Sequence, residues 1–270
     1  MTLLVHIGDI HVKAKPNKQE NRRFARVMKW VAKHYQDLPK PLLTFTGDLT
    51  DNGSTAEYNH VLDVLRPLRA QGFDMIFAPG NHDVGPMGNT FSASRQNNFQ
   101  RRILGELMGI AAAQTSANRM PSLYPLIKDT GECRLVALDS CHSEQHLASG
   151  AIGERQIEAL ATAIKSATTP VVVLLHHHPF VRATWLKLAV ADSDSLKATI
   201  EGKVAALLFG HKHRAQVWKR GEPWNVPLII AAGKTSKPDR RKLYEIREVE
   251  VSPAVHTTFA YTPPLPDERR

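Results

Sequence analysis

The chain carries only two cysteines in 270 residues, Cys133 and Cys141, and no Cys-x-x-Cys, so a structural zinc site built on paired thiolates is excluded. The two thiols flank one expected strand. A bridge would have to span its whole length, and free thiols in a reducing compartment are expected. No stretch reaches the ~18 consecutive apolar residues of a membrane span. The first expected strand begins at Leu3, leaving no room for a basic and apolar leader, so the expected location is cytoplasmic with no membrane partner. Internal repeats and low-complexity tracts are also missing, which excludes solenoid architectures.

Basic residues are abundant, with a net charge of +9 and a pI near 9.6. They fall in scattered runs: Arg22 to Lys33, Arg101-Arg102, Lys212 with Arg214, Lys219-Arg220, and Arg240-Arg241-Lys242. Aromatic side chains rarely interleave with them, as base stacking would need. A nucleic-acid partner is therefore not favoured, since charge distribution rather than net charge decides that class. With 42% hydrophobic and 23% charged residues the chain can bury a substantial core. One domain over 1–262 is expected, followed by a frayed Pro- and charge-rich tail at 263–270.

Chemistry is concentrated in five short runs, each following an apolar stretch that reads as a buried strand. Leu3 to Ile7 lead into Asp9-Ile10-His11, Leu42 to Thr46 into Gly47-Asp48, and Met75 to Ala78 into Gly80-Asn81-His82-Asp83. Val171 to Leu175 lead into His176-His177-His178-Pro179, and Val204 to Phe209 into Gly210-His211-Lys212-His213. Side chains at the carboxyl ends of parallel strands converge on one crevice. Any one run is also an ordinary turn; five in matching contexts point to a shared site.

On these runs the sequence resembles the calcineurin-like metallophosphoesterase superfamily, with a match spanning Asp9 to His213. Within it the chain is most similar to bacterial class III cyclic nucleotide phosphodiesterases and glycerophosphodiesterases, on His177-His178-Pro179, Leu138-Asp139-Ser140, and Gly150-Ala151-Ile152-Gly153 with Gln156. The resemblance implies two divalent ions. Asp9, His11, Asp48 and His213 would surround one, and Asp48, Asn81, His177 and His211 the other, with Asp48 bridging. Imidazoles, carboxylates and an amide without thiolate suit Mn, Fe, Zn or Co better than Ca or Mg. Such a pair holds a bridging hydroxide for in-line attack on phosphorus.

The leaving alkoxide needs a proton. His82, beside Asn81, is the expected general acid, with Asp83 placed to orient its ring. In the histidine triplet the family pattern sets the ligand two residues before the proline, which selects His177. Alternation then turns His176 and His178 to the other face, leaving His176 as a core or supporting residue and His178 as a candidate substrate contact. Asp51 is expected to fix its own turn. Asp139, His142 and His146 carry no such motif support.

Helical periodicity places an apolar stripe at Phe24, Val27, Met28 and Val31. A capping box, Ser54 with Glu57, opens a helix that Pro67 is expected to kink or end. Further helices are expected from Glu154, from Ser193, and near Arg95 to Met108. The resemblance implies an α/β fold of two mixed β-sheets between flanking helices, and Leu228 to Ala232, Leu243 to Val251 and Val255 to Tyr261 are expected as strands of the second sheet. The expected activity is hydrolysis of a small phosphodiester, a cyclic nucleotide or a glycerophosphodiester. The alternatives are a nuclease, a phosphomonoesterase and, last, a scaffold without catalysis; a homo-oligomer fits the group.

Overall fold

Glycine-bounded apolar runs set the strands, and the amphipathic segments between them become the covering helices. The computed structural model describes residues 1–114, 120–141, 148–180, 190–219, 222–236, 246–252 and 256–258. His142, His146, the basic run at Arg240 to Lys242 and the tail at 263–270 lie outside the described residues.

The first half alternates strand and helix: β1 (Thr2–Ile7), α1 (Gln19–His34), β2 (Leu42–Thr46), α2 (Thr55–Ala70) and β3 (Asp74–Ala78). The α1 stripe is buried as expected, at Phe24, Val27, Met28 and Val31. The capping box forms, with Ser54 Oγ accepting from Glu57 N at 3.3 Å and Ser54 N donating to Glu57 Oε2 at 2.9 Å. Pro67 does not end α2; the helix runs on to Ala70 with the proline inside it, at the loss of one i→i−4 bond. Next come α3 (Asn81–Val84) and α4 (Ala93–Phe99), which continues as a π-helical segment, Gln100–Leu107.

After α5 (Met120–Leu123) the chain forms β4 (Leu126–Asp129), β5 (Arg134–Ala137), α6 (Glu154–Lys165), β6 (Val171–Leu174), α7 (Ser193–Ile200) and β7 (Ala206–Phe209). The remaining strands are β8 (Gln216–Lys219), β9 (Leu228–Ala231), β10 (Arg247–Val251) and β11 (His256–Thr258). Two mixed sheets result, ordered β11-β10-β1-β2-β3 and β4-β5-β6-β7-β9-β8. β10 and β11 thus join the first sheet, correcting the expectation that they lie in the second. β10 pairs antiparallel with β1 and covers an edge that would otherwise stay open.

Period-two alternation divides the second sheet's side chains between two cores. Leu135, Val172, Leu174, Leu208 and Ile230 face the first sheet and share its core with α1 and α2. Val136, Val173, Leu207 and Ile229 face outward, where Leu160 of α6 and Leu196 and Ile200 of α7 cover them. With both faces covered, the parallel strands read as continuous apolar runs. The carboxyl ends of β1 and β2, and those of β6 and β7, are joined directly. Asp9 N bonds Gly47 O at 3.2 Å and Gly210 N bonds His176 O at 3.0 Å. Among the described residues no helix is long and apolar enough to cross a membrane.

Candidate metal centre

Six non-glycine residues among those described hold φ in the left-handed region, and five of them are Asp9 (51°), His11 (53°), Asp48 (51°), His211 (78°) and His213 (53°). Each such residue costs on the order of 1–3 kcal/mol and persists where the surroundings impose it. All five stand just past a strand end, where the backbone turns to aim a side chain into the crevice. Gly80 serves the same turn by close approach, since a Cβ there would lie 2.2 Å from Asp48 N and Asp48 Oδ1.

One ligand atom from each of Asp9, His11, Asp48 and His213 lies within 4.8 Å of the other three. His11 Nε2 is 2.8 Å from His213 Nε2 and 3.4 Å from Asp48 Oδ2. Asp9 Oδ1 accepts from His211 N at 2.9 Å, whereas Asp9 Oδ2 is buried without any hydrogen-bond partner. Burial, then the neighbouring Asp48, pushes the Asp9 carboxyl well up. Burial likewise lowers His11, and His213 to about 3, so both rings are neutral at neutral pH, as a metal ligand must be. Converging lone pairs, an orphaned carboxylate oxygen and no thiolate make a donor set that fits a divalent transition metal.

A second group of donors meets on the other side of Asp48. His176 Nε2 lies 2.9 Å from Asn81 Oδ1, 3.1 Å from His211 Nδ1 and 3.4 Å from Asp48 Oδ2. Its Nδ1 is held at 2.8 Å by Thr46 O, and Asn81 Nδ2 donates to Gly88 O at 2.8 Å. The residue in this group is His176, not the expected His177. β6 stops at Leu174, so strand alternation does not extend into the triplet. The His177 ring stays near, 4.6 Å from that of His211, but its Nδ1 pairs with Ser140 Oγ at 2.8 Å. A signal was available in the sequence: in the other runs the donor follows its apolar stretch closely, as His176 does and as counting back from Pro179 obscured.

His178, the candidate substrate contact, packs into an aromatic cluster with Phe180, Phe209 and Trp218, their rings 4.7–5.9 Å from its own. Burial, with Lys212 nearby, lowers its pKa to about 3. His82 sits edge-on to His11 at 4.6 Å, and its Nδ1 pairs with Asp51 O at 2.8 Å. Asp83 does not orient that ring. Its carboxylate accepts from Gly80 N at 3.0 Å, Thr50 N at 3.0 Å and Leu49 N at 3.3 Å, tying the β2 and β3 turns together. Burial and the charge on Asp48 push it up to about 7. Asp83→Ala strands three buried N–H groups and is expected to lower stability by about 3 kcal/mol, read as a shifted urea midpoint. An unshifted midpoint would contradict this. Asp51 does more than fix a turn, since its Oδ1 lies 2.6 Å from Lys13 Nζ and 3.5 Å from His11 Nδ1.

The profile of the calcineurin-like phosphoesterase family matches residues 2–215, which takes in every donor from Asp9 to His213. The chain belongs to that family. As a calcineurin-like phosphoesterase it is a metal-dependent phosphoester hydrolase. It is 25% identical over 219 residues to a probable cyclic nucleotide phosphodiesterase from Rhodococcus erythropolis, covering 78% of this chain and 64% of that protein. It is also 25% identical over 250 residues to a probable glycerophosphodiester phosphodiesterase from Arcobacter nitrofigilis, covering 87% of this chain and 78% of that one. The fold is similar to a dimetal phosphatase from Danio rerio, with a TM-score of 0.64, 14% identity and 93% of each chain covered.

Proposed function

We propose that this phosphoesterase hydrolyses a small phosphodiester, of the 3′,5′-cyclic nucleotide or glycerophosphodiester class, with two divalent ions. The observation that carries the reading is the position of Asp48. Its Oδ2 lies 3.4 Å from His11 Nε2 in one donor set and 3.4 Å from His176 Nε2 in the other. Asp9, His11 and His213 would complete one site, and Asn81, His176 and His211 the second, for ions such as Mn, Fe, Zn or Co. Bound there, such a pair supplies charge neutralisation at phosphorus and activation of a water nucleophile. The names of the Rhodococcus and Arcobacter relatives support the diester preference.

In this reading His82 protonates the leaving alkoxide. Asp51 O occupies its Nδ1, leaving Nε2 for proton exchange, while Asp48 Oδ1 accepts from His82 N at 3.0 Å and fixes the backbone. His82→Ala is expected to lower kcat about 10²- to 10³-fold on an alkyl diester. The loss should be less than about tenfold on a p-nitrophenyl diester, whose leaving group needs no proton. Equal losses on both would remove His82 from the proton transfer. The reading as a whole is tested by manganese-dependent turnover of bis-p-nitrophenyl phosphate beside p-nitrophenyl phosphate. Diester preference is the expected result; a monoester preference would replace it with a phosphatase.

A further inference from the structure

The His82 ring lies between two segments of chain, and one side chain bonds to both. On one flank Asp51 O is 2.8 Å from His82 Nδ1. On the other is the turn Pro86–Gly88, so close that a Cβ on Gly88 would stand 2.5 Å from His82 Cδ2 and 2.6 Å from its Nε2. His11 meets the ring edge-on, while Asp48 Oδ1 accepts from His82 N and Thr50 Oγ1 donates to His82 O at 3.5 Å. Asn52 joins the two flanks. Its Oδ1 accepts from Met87 N at 3.0 Å, and its Nδ2 donates to Asp51 Oδ2 at 3.1 Å.

The chemistry of the partners requires an amide at this position. Glu57, buried as the capping partner of α2, accepts from Asn52 N at 3.1 Å through Oε2 and from Asn52 Nδ2 at 3.4 Å through Oε1. The Nδ2 end thus faces two carboxylates, which only accept, and the Oδ1 end faces a backbone N–H, which only donates. Aspartate would set an oxygen against both carboxylates, and alanine would release Met87 N. Met87 depends on that bond. At φ 54° and ψ 15° it is the sixth non-glycine residue in the left-handed region and the one outside the donor sets, and its side chain is 71% exposed, so its own packing does little to hold the turn. The turn is otherwise held by Gly88, whose O accepts from Asn81 Nδ2 at 2.8 Å and whose N donates to Gly85 O at 3.1 Å. On the opposite flank Asp51 is steadied by Lys13 Nζ at 2.6 Å, with His11 Nδ1 3.5 Å away.

We propose that Asn52 is a positioning residue for proton transfer: by tying Asp51 to the Pro86–Gly88 turn it holds the His82 ring with Nδ1 on Asp51 O and Nε2 toward the leaving group. The inference deepens the diesterase reading and rests on it for the role of His82, but ring placement is read without turnover. Zinc-loaded full-length protein carrying isotopically labelled histidine is studied by NMR of the ring nitrogens in mildly alkaline buffer, where free imidazole is neutral. The His82 signals, assigned by their loss in His82→Ala, are expected to show the Nδ1–H tautomer in the parent and a mixture of tautomers in Asn52→Ala. Kinetics then use 3′,5′-cyclic AMP or glycerophosphocholine, whichever the parent hydrolyses, with zinc content matched. Asn52→Ala should lower kcat about 10- to 30-fold with KM within about twofold, against less than about threefold on bis-p-nitrophenyl phosphate. In the His82→Ala background the same substitution should add nothing. Asn52→Asp should show the same selective loss, and it takes the place of the alanine variant if that variant does not fold. Unchanged His82 signals overturn the inference, and so does a loss equal on both kinds of substrate where His82→Ala is selective. If His82→Ala is itself unselective, the diesterase reading loses its proton donor, and the ring signals still decide whether Asn52 places the ring.

Discussion

Asp48→Asn is expected to lower kcat/KM on bis-p-nitrophenyl phosphate by about 10³-fold or more and to reduce metal content from two ions per chain to one or fewer. The size follows from position. Among the described residues Asp48 places one side-chain oxygen, Oδ2, within 3.4 Å of a ring nitrogen of each donor set, equally far from His11 Nε2 and His176 Nε2. Burial alone raises a carboxyl, but here the His176, His11, His82 and His211 rings hold Asp48 below the usual carboxylate range. Asparagine keeps the shape, and its Oδ1 can still accept from His82 N, so the turn survives while the negative charge is lost. Losing one anionic ligand shared by two cations removes several kcal/mol of transition-state stabilisation, and about 4 kcal/mol corresponds to 10³ in rate. Elemental analysis beside steady-state kinetics reads both effects. A variant with two ions and parental turnover would refute the bridging role.

His176→Ala is expected to lose one of two ions and about 10²- to 10³-fold in kcat/KM. His177→Ala should keep both ions. The contrast tests which member of the triplet enters the centre. The Nε2 of His176 meets Asn81, His211 and Asp48, whereas His177 is fixed by Ser140 and crowded by Gly150, where a Cβ would lie 2.5 Å from His177 Cγ. Removing the His177 ring leaves a cavity and a changed partner for Ser140, so a loss of about 1–3 kcal/mol in stability is expected instead. Metal loss from His177→Ala with full metal in His176→Ala would restore the proline-counted assignment.

Much of the centre was legible because its signals are local. A donor at fixed spacing after an apolar run specifies strand, turn and aimed side chain together, so the gathering of Asp9, His11, Asp48, Asn81, His211 and His213 in one crevice could be read directly. The capping box at Ser54 and the apolar stripe of α1 are equally local. The residues that were misread depend on distance along the chain. Asp83 looked like a partner for its neighbour His82, yet its carboxylate serves Leu49 and Thr50, more than thirty residues away. His178 looked like a substrate contact, yet Phe209 and Trp218 enclose it.

Sequence alone determined the donor types, their order, and the strands and helices that carry them, because hydrophobic period and turn chemistry act over a few residues. Tertiary structure decided which histidine of the triplet faces Asp48, that β10 returns to the first sheet, and that Thr235 is clasped to Gly8, next to Asp9. Each of these depends on where one strand ends or which strands pair, and such pairings are fixed only by packing between segments up to more than two hundred residues apart.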